Sequence, residues 1–343
     1  MYPSSINVQT TTNQYLAPAL VDQVLRDNMF FGEILGNTEK WDGSQMLFPV
    51  KYQKGVETVA FNGFDQLPTN EIPSFVNMTF YPTFTATNIA LAGSDLSINR
   101  TPMQTLNLMK TVMKSRAQDA ADDIGNFFQG TGTAFNGKAP SGLGNIVDNG
   151  SVASTYGGLS RATYNGLNAT VTASGGSISL LKIRQLYNSI ADGRVSPDLG
   201  YTTYDVWAYI EQLLMPFQRN TYTDMTNMDA GTGYRDKGLI WDGITIYRDK
   251  KCTSGNFYLL NMDYLKWYGL NWWKGEAISL TDKEIKGNIY QYNPMNAGKA
   301  FTWTNWIEAY AQGAVNGFVI MGGQLICTDP FRNGVLTGVL GVN

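Results

Sequence analysis

Histidine is absent from this chain of 343 residues. Without an imidazole, the chain cannot carry Ser-His-Asp or Cys-His catalysis or a histidine-ligated metal. Cysteine is scarce as well, because Cys252 and Cys327 are the only two and they form no C-x-x-C pair. We predict that both are buried or half-buried thiols in a reducing compartment, and the sequence leaves open whether they pair with each other.

Charged side chains are also few. They make up 15% of the residues, against a usual ~25%, and the formal net charge is -3. Residues 1–21 carry no charged side chain at all. A protein that grips nucleic-acid phosphates needs clustered Lys and Arg, so tight or sequence-specific nucleic-acid binding is not expected. A surface with so little charge is typical of a subunit that buries much of it against neighbours.

Long hydrophobic runs are missing. The most apolar stretch late in the chain, GAVNGFVIMGGQLIC at 313–327, is too short and too polar to span a bilayer. The N-terminus has neither a charged leading region nor a compact apolar segment, so we expect no signal peptide. Hydrophobic residues nevertheless reach 43%, which is enough for a sizeable core in about two domains. We expect a soluble protein of cytosolic origin.

The clearest predicted element is a long helix. The stretch TPMQTLNLMKTVMKSRAQDAADDIGNFFQG, at 101–130, places Pro102 at the first helical position. Its apolar residues recur at spacings of three and four, at Leu106, Met109, Met113, Ala117, Ala120, Ile124 and Phe127. This spacing predicts a helix over 102–129, roughly 42 Å long at ~1.5 Å per residue and more than twice the usual length. We expect it to be a spine against which a sheet packs.

A long β ribbon is predicted at 44–91. The segment SQMLFPVKY alternates, and NMTFYPTFTATNIAL alternates after it with Met78, Phe80 and Phe84 on one face. Pro49 and Pro82 lie inside these runs, and each needs an outward-facing edge position because proline donates no hydrogen bond. The stretch between the runs contains Gly, Pro and Asn, which predicts an extended tip.

The second half of the chain alternates between strand and helix patterns. SLLKIRQLYNSIADG predicts an amphipathic helix, and PDLGYTTYDVWAYIEQLL predicts a short strand followed by a helix. GITIYRDK and NFYLLNM predict strands. This order indicates an α/β domain. The tail at 299–340 alternates like strands, and we expect it to return to the spine helix and form its sheet.

Three motifs that suggest chemistry are weak. GTAFNGKA at 132–139 fits the phosphate-binding pattern G-x-x-x-x-G-K-[ST] except at Ala139, but it follows a helix and precedes PSGLGN, so we predict a flexible loop. Asp119 and Asp122 share a helix face, as catalytic or metal-binding acids would, although a solvated or partner-facing stripe is the plainer interpretation. Aromatic clusters at 264–273 and 301–310 would suit sugar stacking, but such rings are more often core or interface anchors.

The order of these elements resembles that of the major capsid proteins of tailed bacteriophages, whose fold is shared with herpesvirus shells. The resemblance covers nearly the whole chain. It is most specific in YNSIADGRVSPDLGYTTYDVWAYIEQLL and GLIWDGITIYRDKKCTSGNFYLLNMDYLKWYGL, which are similar to the capsid-family succession of a strand, a helix, a G-x-x-I/V strand and an F-x-L-N-x-x-x-L strand and turn. The motifs are degenerate, so the order and length of the elements carry the resemblance.

The resemblance implies an α+β, phage-capsid-like fold in five parts. They are an N-terminal arm (1–43), an extended β ribbon or E-loop (44–91), a spine helix and peripheral domain (92–177), an axial α/β domain (178–298), and C-terminal strands that return to the peripheral domain (299–343). The implied function is a self-assembling subunit of an icosahedral head around double-stranded DNA. The implied partners are copies of the chain in hexamers and pentamers, with portal, scaffolding or decoration proteins as further candidates. No enzyme activity, cofactor, metal or membrane is expected.

Two surfaces are predicted to contact other subunits. The ribbon tip places apolar side chains where its own chain offers no core, at Val59, Phe61, Phe64 and Leu67. The spine helix runs its charges against the helix dipole, with Lys110, Lys114 and Arg116 before Asp119, Asp122 and Asp123, which suits charges supplied by neighbouring copies. Two alternatives stay open. One is another phage structural protein, of tail or decoration type, and the other is a glycan-binding protein or carboxylate-based glycan enzyme.

Overall fold

The computed structural model describes residues 28–55, 58–65, 67, 69, 72–98, 102–215, 233–235, 238–271, 276–277, 301–308 and 313–340. Most of the predicted N-terminal arm, residues 1–27, lies outside the described residues. The described helices are α1 (Met29–Gly36), α2 (Gly93–Ile98), α3 (Pro102–Gln129), α4 (Ala134–Gly137), α5 (Leu143–Ile146), α6 (Leu180–Ile190) and α7 (Tyr204–Leu214). Short 3-10 turns lie at Asn165–Leu167 and Pro330–Arg332.

The strands form two larger sheets and two hairpins. The first sheet contains β1 (Thr38–Lys40), β4 (Thr83–Ala92), β13 (Leu265–Gly269), β14 (Glu276–Ala277), β15 (Phe301–Glu308) and β16 (Ala314–Cys327). The second has the order β7 (Thr170–Ser177), β17 (Gly334–Leu340), β12 (Phe257–Leu260), β8 (Leu199–Thr202), β11 (Ile244–Arg248), β10 (Gly238–Trp241) and β9 (Gly233–Arg235). The hairpins are β2 (Met46–Lys51) with β3 (Phe75–Phe80), and β5 (Thr155–Tyr156) with β6 (Leu159–Ser160).

Helix α3 is the predicted spine, with the predicted bounds. Its buried side chains follow one face from Met109 to Phe128 and join the core that also contains the inner face of the first sheet. One position was predicted wrongly: Phe127 is only half-buried, and Phe128 is the core residue. Ala117, Ala121, Ile124 and Phe128 continue the buried face at spacings of four, three and four, whereas Phe127 turns aside and meets Phe135 with ring centroids 5.7 Å apart. The side chain of Leu106 lies outside the described residues.

The predicted ribbon divides into two structures. Strand β3 ends at Phe80, and β4 begins at Thr83 and leaves the ribbon to pair with β16 in the first sheet. The break at Tyr81 and Pro82 changes which residues face the core, from the even-numbered positions before it to the odd-numbered positions after it. Met78 and Phe80 face the core before it, whereas Ile89 and Leu91 face the core after it. The expectation that Phe84 shares a face with Met78 is therefore wrong, because Phe84 lies on the exposed face of β4.

Several strands, among them β13 and β17, lie in a sheet other than the one that sequence order suggested. Strand β13, from the predicted axial segment, pairs with β16 in the first sheet. Strand β17, from the C-terminal segment, pairs with β12 and β7 in the second sheet. The tail therefore completes both sheets, and only β15 and β16 return to the spine as expected. Alternation along a strand fixes its faces but not its neighbours, so sequence pattern alone could not assign these two strands.

Helices α6 and α7 and the second sheet form the predicted α/β unit. Ile183 and Leu186 of α6 share a core with Ile210 of α7 and with Ile246 and Phe257 of the sheet. The Trp207 indole donates to the Ile246 carbonyl over 3.1 Å. The spine helix reaches this unit through its last residue, since Gln129 Nε2 donates to the Tyr201 hydroxyl over 2.9 Å. No helix in the described parts of the chain is long and apolar enough to cross a membrane.

Candidate intersubunit surface

The base of the ribbon is anchored on its own chain. Met46, Phe48 and Val50 of β2 face inward and are partly buried, as their alternation predicted. The ring centroids of Phe48 and Tyr268 lie 5.5 Å apart, and those of Phe80 and Tyr156 lie 5.3 Å apart. These contacts fix where the ribbon leaves the body of the chain.

The ribbon continues beyond its strands as a hydrogen-bonded shaft. The Tyr52 amide donates to the Ser74 carbonyl over 3.0 Å, and the Ile72 amide donates to the Gly55 carbonyl over 3.3 Å. Tyr52 and Ser74 continue the register of β2 and β3 as a hydrogen-bonded pair. Hydrogen-bonded and non-hydrogen-bonded pairs alternate along an antiparallel ladder, so every second pair from there to Met46 is hydrogen-bonded. Pro49 lies in a non-hydrogen-bonded pair, so its nitrogen points away from β3. Pro49 thus has the outward edge position that the sequence required, whereas Pro82 lies between strands.

A tight turn at the end of the shaft presents an aromatic ring to solvent. The Asp65 amide donates to the Asn62 carbonyl over 2.8 Å, and the Asn62 amide donates to the Asp65 carboxylate over 2.8 Å. Phe64, inside this turn, is fully exposed, and 64% of Phe61 is exposed. Val59 and Leu67 are each about half exposed. All four predicted tip residues are therefore exposed to solvent by half or more.

One further apolar residue of the ribbon is exposed beside the four predicted ones. Phe75 begins β3 and is two-thirds exposed. It pairs across the ribbon with Lys51, on the face opposite Val76 and Met78. The alternation of β3 carried this signal, since Met78 and Phe80 facing inward require Phe75 to face outward. We call Val59, Phe61, Phe64, Leu67 and Phe75 the ribbon surface.

The charged residues of the spine helix do not form one uniform stripe. Arg116 and Asp119 pair with each other along the helix, with Nη1 and Oδ2 3.1 Å apart. Asp122 accepts a hydrogen bond from the ammonium group of Lys251 in the same chain. Lys114 and Asp123 are exposed and have no ion-pair partner within the described residues. The side chain of Lys110 lies outside the described residues, so Lys114 and Asp123 are the helix charges that remain for another subunit.

The motifs that suggested chemistry have structural explanations. The segment 132–139 follows α3, and Phe135, Asn136 and Gly137 all have positive φ. The short element α4 is therefore a single left-handed turn, and it is not a helix whose N-terminus could bind a phosphate. Asp119 and Asp122 are each held in an ion pair on an exposed helix face. Trp267, Trp303 and Trp306 are buried, so these rings of the two aromatic clusters belong to the core and form no exposed sugar-stacking platform. No group of three metal-ligating side chains occurs among the described residues.

Cys252 and Cys327 are both buried and are not joined to each other, in agreement with the expectation of two buried or half-buried thiols. Burial raises the pKa of the Cys327 thiol to about 12. Burial, together with the nearby carboxylate of Asp249, raises the pKa of the Cys252 thiol further. The thiolate is the reactive form, so both cysteines are expected to be poor nucleophiles in the folded chain.

We expect neither native thiol to react with iodoacetamide in the folded protein at pH 8. A thiol with a pKa near 12 is ionised in only roughly one molecule in ten thousand at that pH. In urea, the same reagent should alkylate both cysteines, as intact-mass spectrometry would show. Rapid stoichiometric labelling of the native chain would contradict the buried placement.

The fold matches solved capsid structures along nearly its whole length. A chain of the cyanophage A-1(L) capsid matches with a TM-score of 0.64 at 13% sequence identity, over 91% of this chain and 93% of that chain. The chain has the fold of a phage capsid subunit. A chain of Mycobacterium phage Bobi (TM-score 0.51, 9% identity, 92% of this chain and 89% of that one) and a capsid chain of a native GTA particle (0.50, 12%, 93% and 90%) share it. The sequence matches no protein-family model and no curated protein.

Within this capsid fold, the ribbon surface and the free charges of the spine helix lie on separate elements. The ribbon surface is apolar and projects from an anchored base, whereas Lys114 and Asp123 lie on α3. Neither feature forms a cleft that converges on reactive groups. Both are suited to contact with another macromolecule.

Proposed function

We propose that this chain is a major capsid protein, the self-assembling subunit of an icosahedral phage head that encloses double-stranded DNA. The observation that carries the proposal is the capsid fold, which extends over nine-tenths of this chain and of the cyanophage capsid chain alike. A match of that extent leaves no large part of either chain for a different architecture. The role we assign is structural, and no catalytic step is part of it.

The exposed ribbon surface supports assembly as the purpose of the fold. Burying a large apolar side chain stabilises a protein by about 1.5–3 kcal/mol relative to leaving it in water. Five such side chains are left in water on one projecting element, Phe64 among them without any cover. A neighbouring subunit that covers this surface would supply the missing burial. We therefore assign the ribbon the role of the main clamp between subunits.

We further propose hexamers and pentamers of this chain as the building units, with portal, scaffolding or decoration proteins as additional partners. The site of assembly would be the cytoplasm of the host bacterium, and the final location would be the virion. The formal net charge of -3 suits a container wall, which need not attract the phosphate backbone of the DNA that it encloses.

Electron microscopy of the chain expressed alone in a bacterium tests this function. We expect closed shells of uniform size with five-fold and six-fold clusters of subunits. Open tubes would favour a tail protein, and small particles even on expression together with neighbouring genes of the same phage would overturn the proposal. Expression together with neighbouring genes of the same phage would separate a need for scaffolding from an inability to assemble.

Reversing the charge of Asp123 should impair shell formation without destabilising the subunit. Asp123 is exposed and has no partner within the described residues, so Asp123→Lys removes nothing that is formed inside the chain. Asp122→Lys is the comparison, because it breaks the pair with Lys251. Asp122 is 68% exposed, so solvent screening limits the loss of unfolding free energy to less than about 1 kcal/mol. Urea unfolding and shell yield measure the two effects, and normal shells from Asp123→Lys would refute the role of that charge.

A further inference from the structure

The turn at the tip of the ribbon begins with an asparagine that precedes a glycine, at Asn62 and Gly63. The sequence contains six Asn-Gly pairs, whose asparagines stand at positions 62, 136, 149, 165, 316 and 333. In such a pair the glycine nitrogen can approach the side-chain carbonyl carbon of the asparagine with little hindrance, because glycine carries no Cβ. The approach depends on the local conformation, and that conformation differs among the six pairs.

The side chain of Asn62 is folded toward the nitrogen of the next residue. The Gly63 amide donates to Asn62 Oδ1 over 3.1 Å, so this nitrogen lies close to Cγ, the carbon that carries Oδ1. Two hydrogen bonds between Asn62 and Asp65 close the turn and hold this conformation. Asn62 is exposed, and a Cβ added at Gly63 would meet no atom of a non-adjacent described residue within 4 Å. The pair is therefore open to water.

Two other exposed pairs hold the glycine nitrogen away from the asparagine side chain. The Gly137 amide donates to the Thr133 carbonyl over 3.1 Å. The Gly150 amide donates to the carboxylate of Asp148 over 3.0 Å. In both pairs the nitrogen that would attack the asparagine is directed at a different acceptor.

The remaining three pairs are fixed by the structure around them. Asn333 is fully buried, and its Oδ1 accepts from the Asn261 amide over 2.9 Å. Asn316 lies within β16, which pairs with β4 and β15. Asn165 is exposed but begins the 3-10 turn Asn165–Leu167. Among the described hydrogen bonds, Asn62 is the one asparagine of the six whose oxygen accepts from the following glycine.

This arrangement is the starting geometry for ring closure between a side chain and the main chain. The Gly63 nitrogen forms a bond to Asn62 Cγ, the bond from Cγ to Nδ2 breaks, and ammonia leaves with the proton that the Gly63 nitrogen gives up. Water then opens the cyclic imide at either carbonyl, which leaves aspartate or isoaspartate at position 62. No enzyme, oxidant or reductant takes part, and fixed proximity of the reacting atoms accelerates a step of this kind.

Either product would place a new negative charge in the middle of the ribbon surface. The carboxylate would share one tight turn with that of Asp65, which already accepts from the Asn62 amide over 2.8 Å, and like charges at such short range repel. Phe61 and Phe64 lie on either side of the pair and are exposed. A neighbouring subunit that covered these rings would have to bury an unpaired charge with them, which is unfavourable.

We propose that Asn62 is a site of spontaneous modification, at which a subunit that stays unassembled converts to aspartate or isoaspartate and loses its ability to build shells. A subunit that assembles promptly has the tip covered and keeps its asparagine. The ribbon tip therefore limits the time for which a free subunit stays competent. The effect on assembly rests on the proposed function, whereas the conversion itself does not.

Peptide mapping by mass spectrometry tests the conversion. Unassembled subunits are incubated at mildly alkaline pH, and samples are taken over time. We expect the exchange of amide for acid to occur first at Asn62, ahead of the exposed Asn165 and the buried Asn333. Its rate should rise with pH, because the attacking nitrogen must lose its proton. Gly63→Ala should slow the change at Asn62 alone, since the added methyl group crowds the attacking nitrogen but meets no atom of a non-adjacent described residue.

Shell yield tests the consequence. Asn62→Asp carries one product from the start, and Asn165→Asp adds the same charge at another exposed Asn-Gly pair. We expect Asn62→Asp to lower shell yield by about tenfold or more, while Asn165→Asp assembles normally. Thermal unfolding of the unassembled subunits should be the same for both. The yield from the natural chain should fall with incubation as Asn62 converts, whereas the yield from Gly63→Ala should stay at its own starting value.

The outcomes separate this inference from the proposed function. Conversion at Asn165 as fast as at Asn62, or no conversion at Asn62, would overturn the modification site. Conversion at Asn62 together with equal shell yields from Asn62→Asp and Asn165→Asp would overturn its effect on assembly, and with it the inference. Absence of shells from fresh natural chain, even with neighbouring phage genes, would overturn the proposed function instead, and the conversion would still be measured on free subunits.

Discussion

Replacing Phe128 with alanine is expected to lower the free energy of unfolding of the subunit by about 3–5 kcal/mol. Only 2% of Phe128 is exposed. Its ring stacks on that of Phe31, with centroids 4.6 Å apart, and meets the edge of Trp267 at 5.6 Å. The substitution would leave a cavity where the spine helix, helix α1 and strand β13 converge. Such a site cannot collapse easily, since three elements would have to move together.

Phe127→Ala is the matched control for this prediction. It removes the same side chain one position earlier in the same helix, but Phe127 is half-buried and contacts the exposed Phe135. We expect a loss below about 2 kcal/mol. Urea unfolding of unassembled subunits, followed by tryptophan fluorescence, measures both. Equal losses, or a larger loss for Phe127→Ala, would show that the buried face of α3 is assigned wrongly.

The sequence predicted the spine helix well because its signal is local. Pro102 at the start and a repeated spacing of three and four along 28 residues determine one element without reference to the rest of the chain. The choice between Phe127 and Phe128 was not determined in this way, because both lie near the edge of the apolar stripe. Packing decides it, since only Phe128 meets Phe31 and Trp267.

The neighbours of each strand were the least predictable part of the fold. The alternation of the tail identified β17 as a strand, whereas the segment of β13 was singled out only as an aromatic cluster, and the partners of both strands lie far away in sequence. The break between β3 and β4 was not predicted, for a related reason. Pro82 allowed either a continued edge strand or a break, and only the partner strand β16 decides between them.

Part of the candidate surface could be predicted from the sequence. The ribbon tip could be predicted, because Val59, Phe61, Phe64 and Leu67 lie in a segment with too little apolar surface for a core of its own. The intramolecular pair between Asp122 and Lys251 could not, since 129 positions separate the two residues. Because Asp122 is already paired within its own chain, fewer charges of the spine helix remain for contacts with neighbouring subunits than the sequence predicted.

Removal of the ribbon tip is expected to abolish shell formation while the subunit still folds. Replacing residues 56–71 by a short Gly-Ser turn deletes Val59, Phe61, Phe64 and Leu67 and keeps Gly55 and Ile72, whose backbone hydrogen bond closes the shaft. The base stays anchored through Phe48 and Phe80 on Tyr268 and Tyr156. Circular dichroism should therefore report an intact spine helix, and thermal unfolding of the unassembled subunit should change little.

The expected loss of assembly follows from the apolar area that the tip leaves in water. Each large side chain contributes about 1.5–3 kcal/mol when it is buried, although part of this is offset by the ordering of the tip on binding. A shell repeats each contact many times, so a modest loss per contact prevents closure. Phe61→Ser together with Phe64→Ser should reproduce most of the effect without shortening the chain.

Val152→Ser is the control for these point substitutions. Val152 is 68% exposed, close to the 64% of Phe61, but it lies in the segment before β5 and is not part of the ribbon surface. Its replacement should leave shell yield and heat resistance unchanged, whereas the double substitution in the tip should lower the yield by about tenfold or more. Sedimentation and electron microscopy of the particles distinguish the two results. If the shortened chain built shells of normal size and heat resistance, the ribbon would not be the main clamp, and the N-terminal arm would become the stronger candidate for that role.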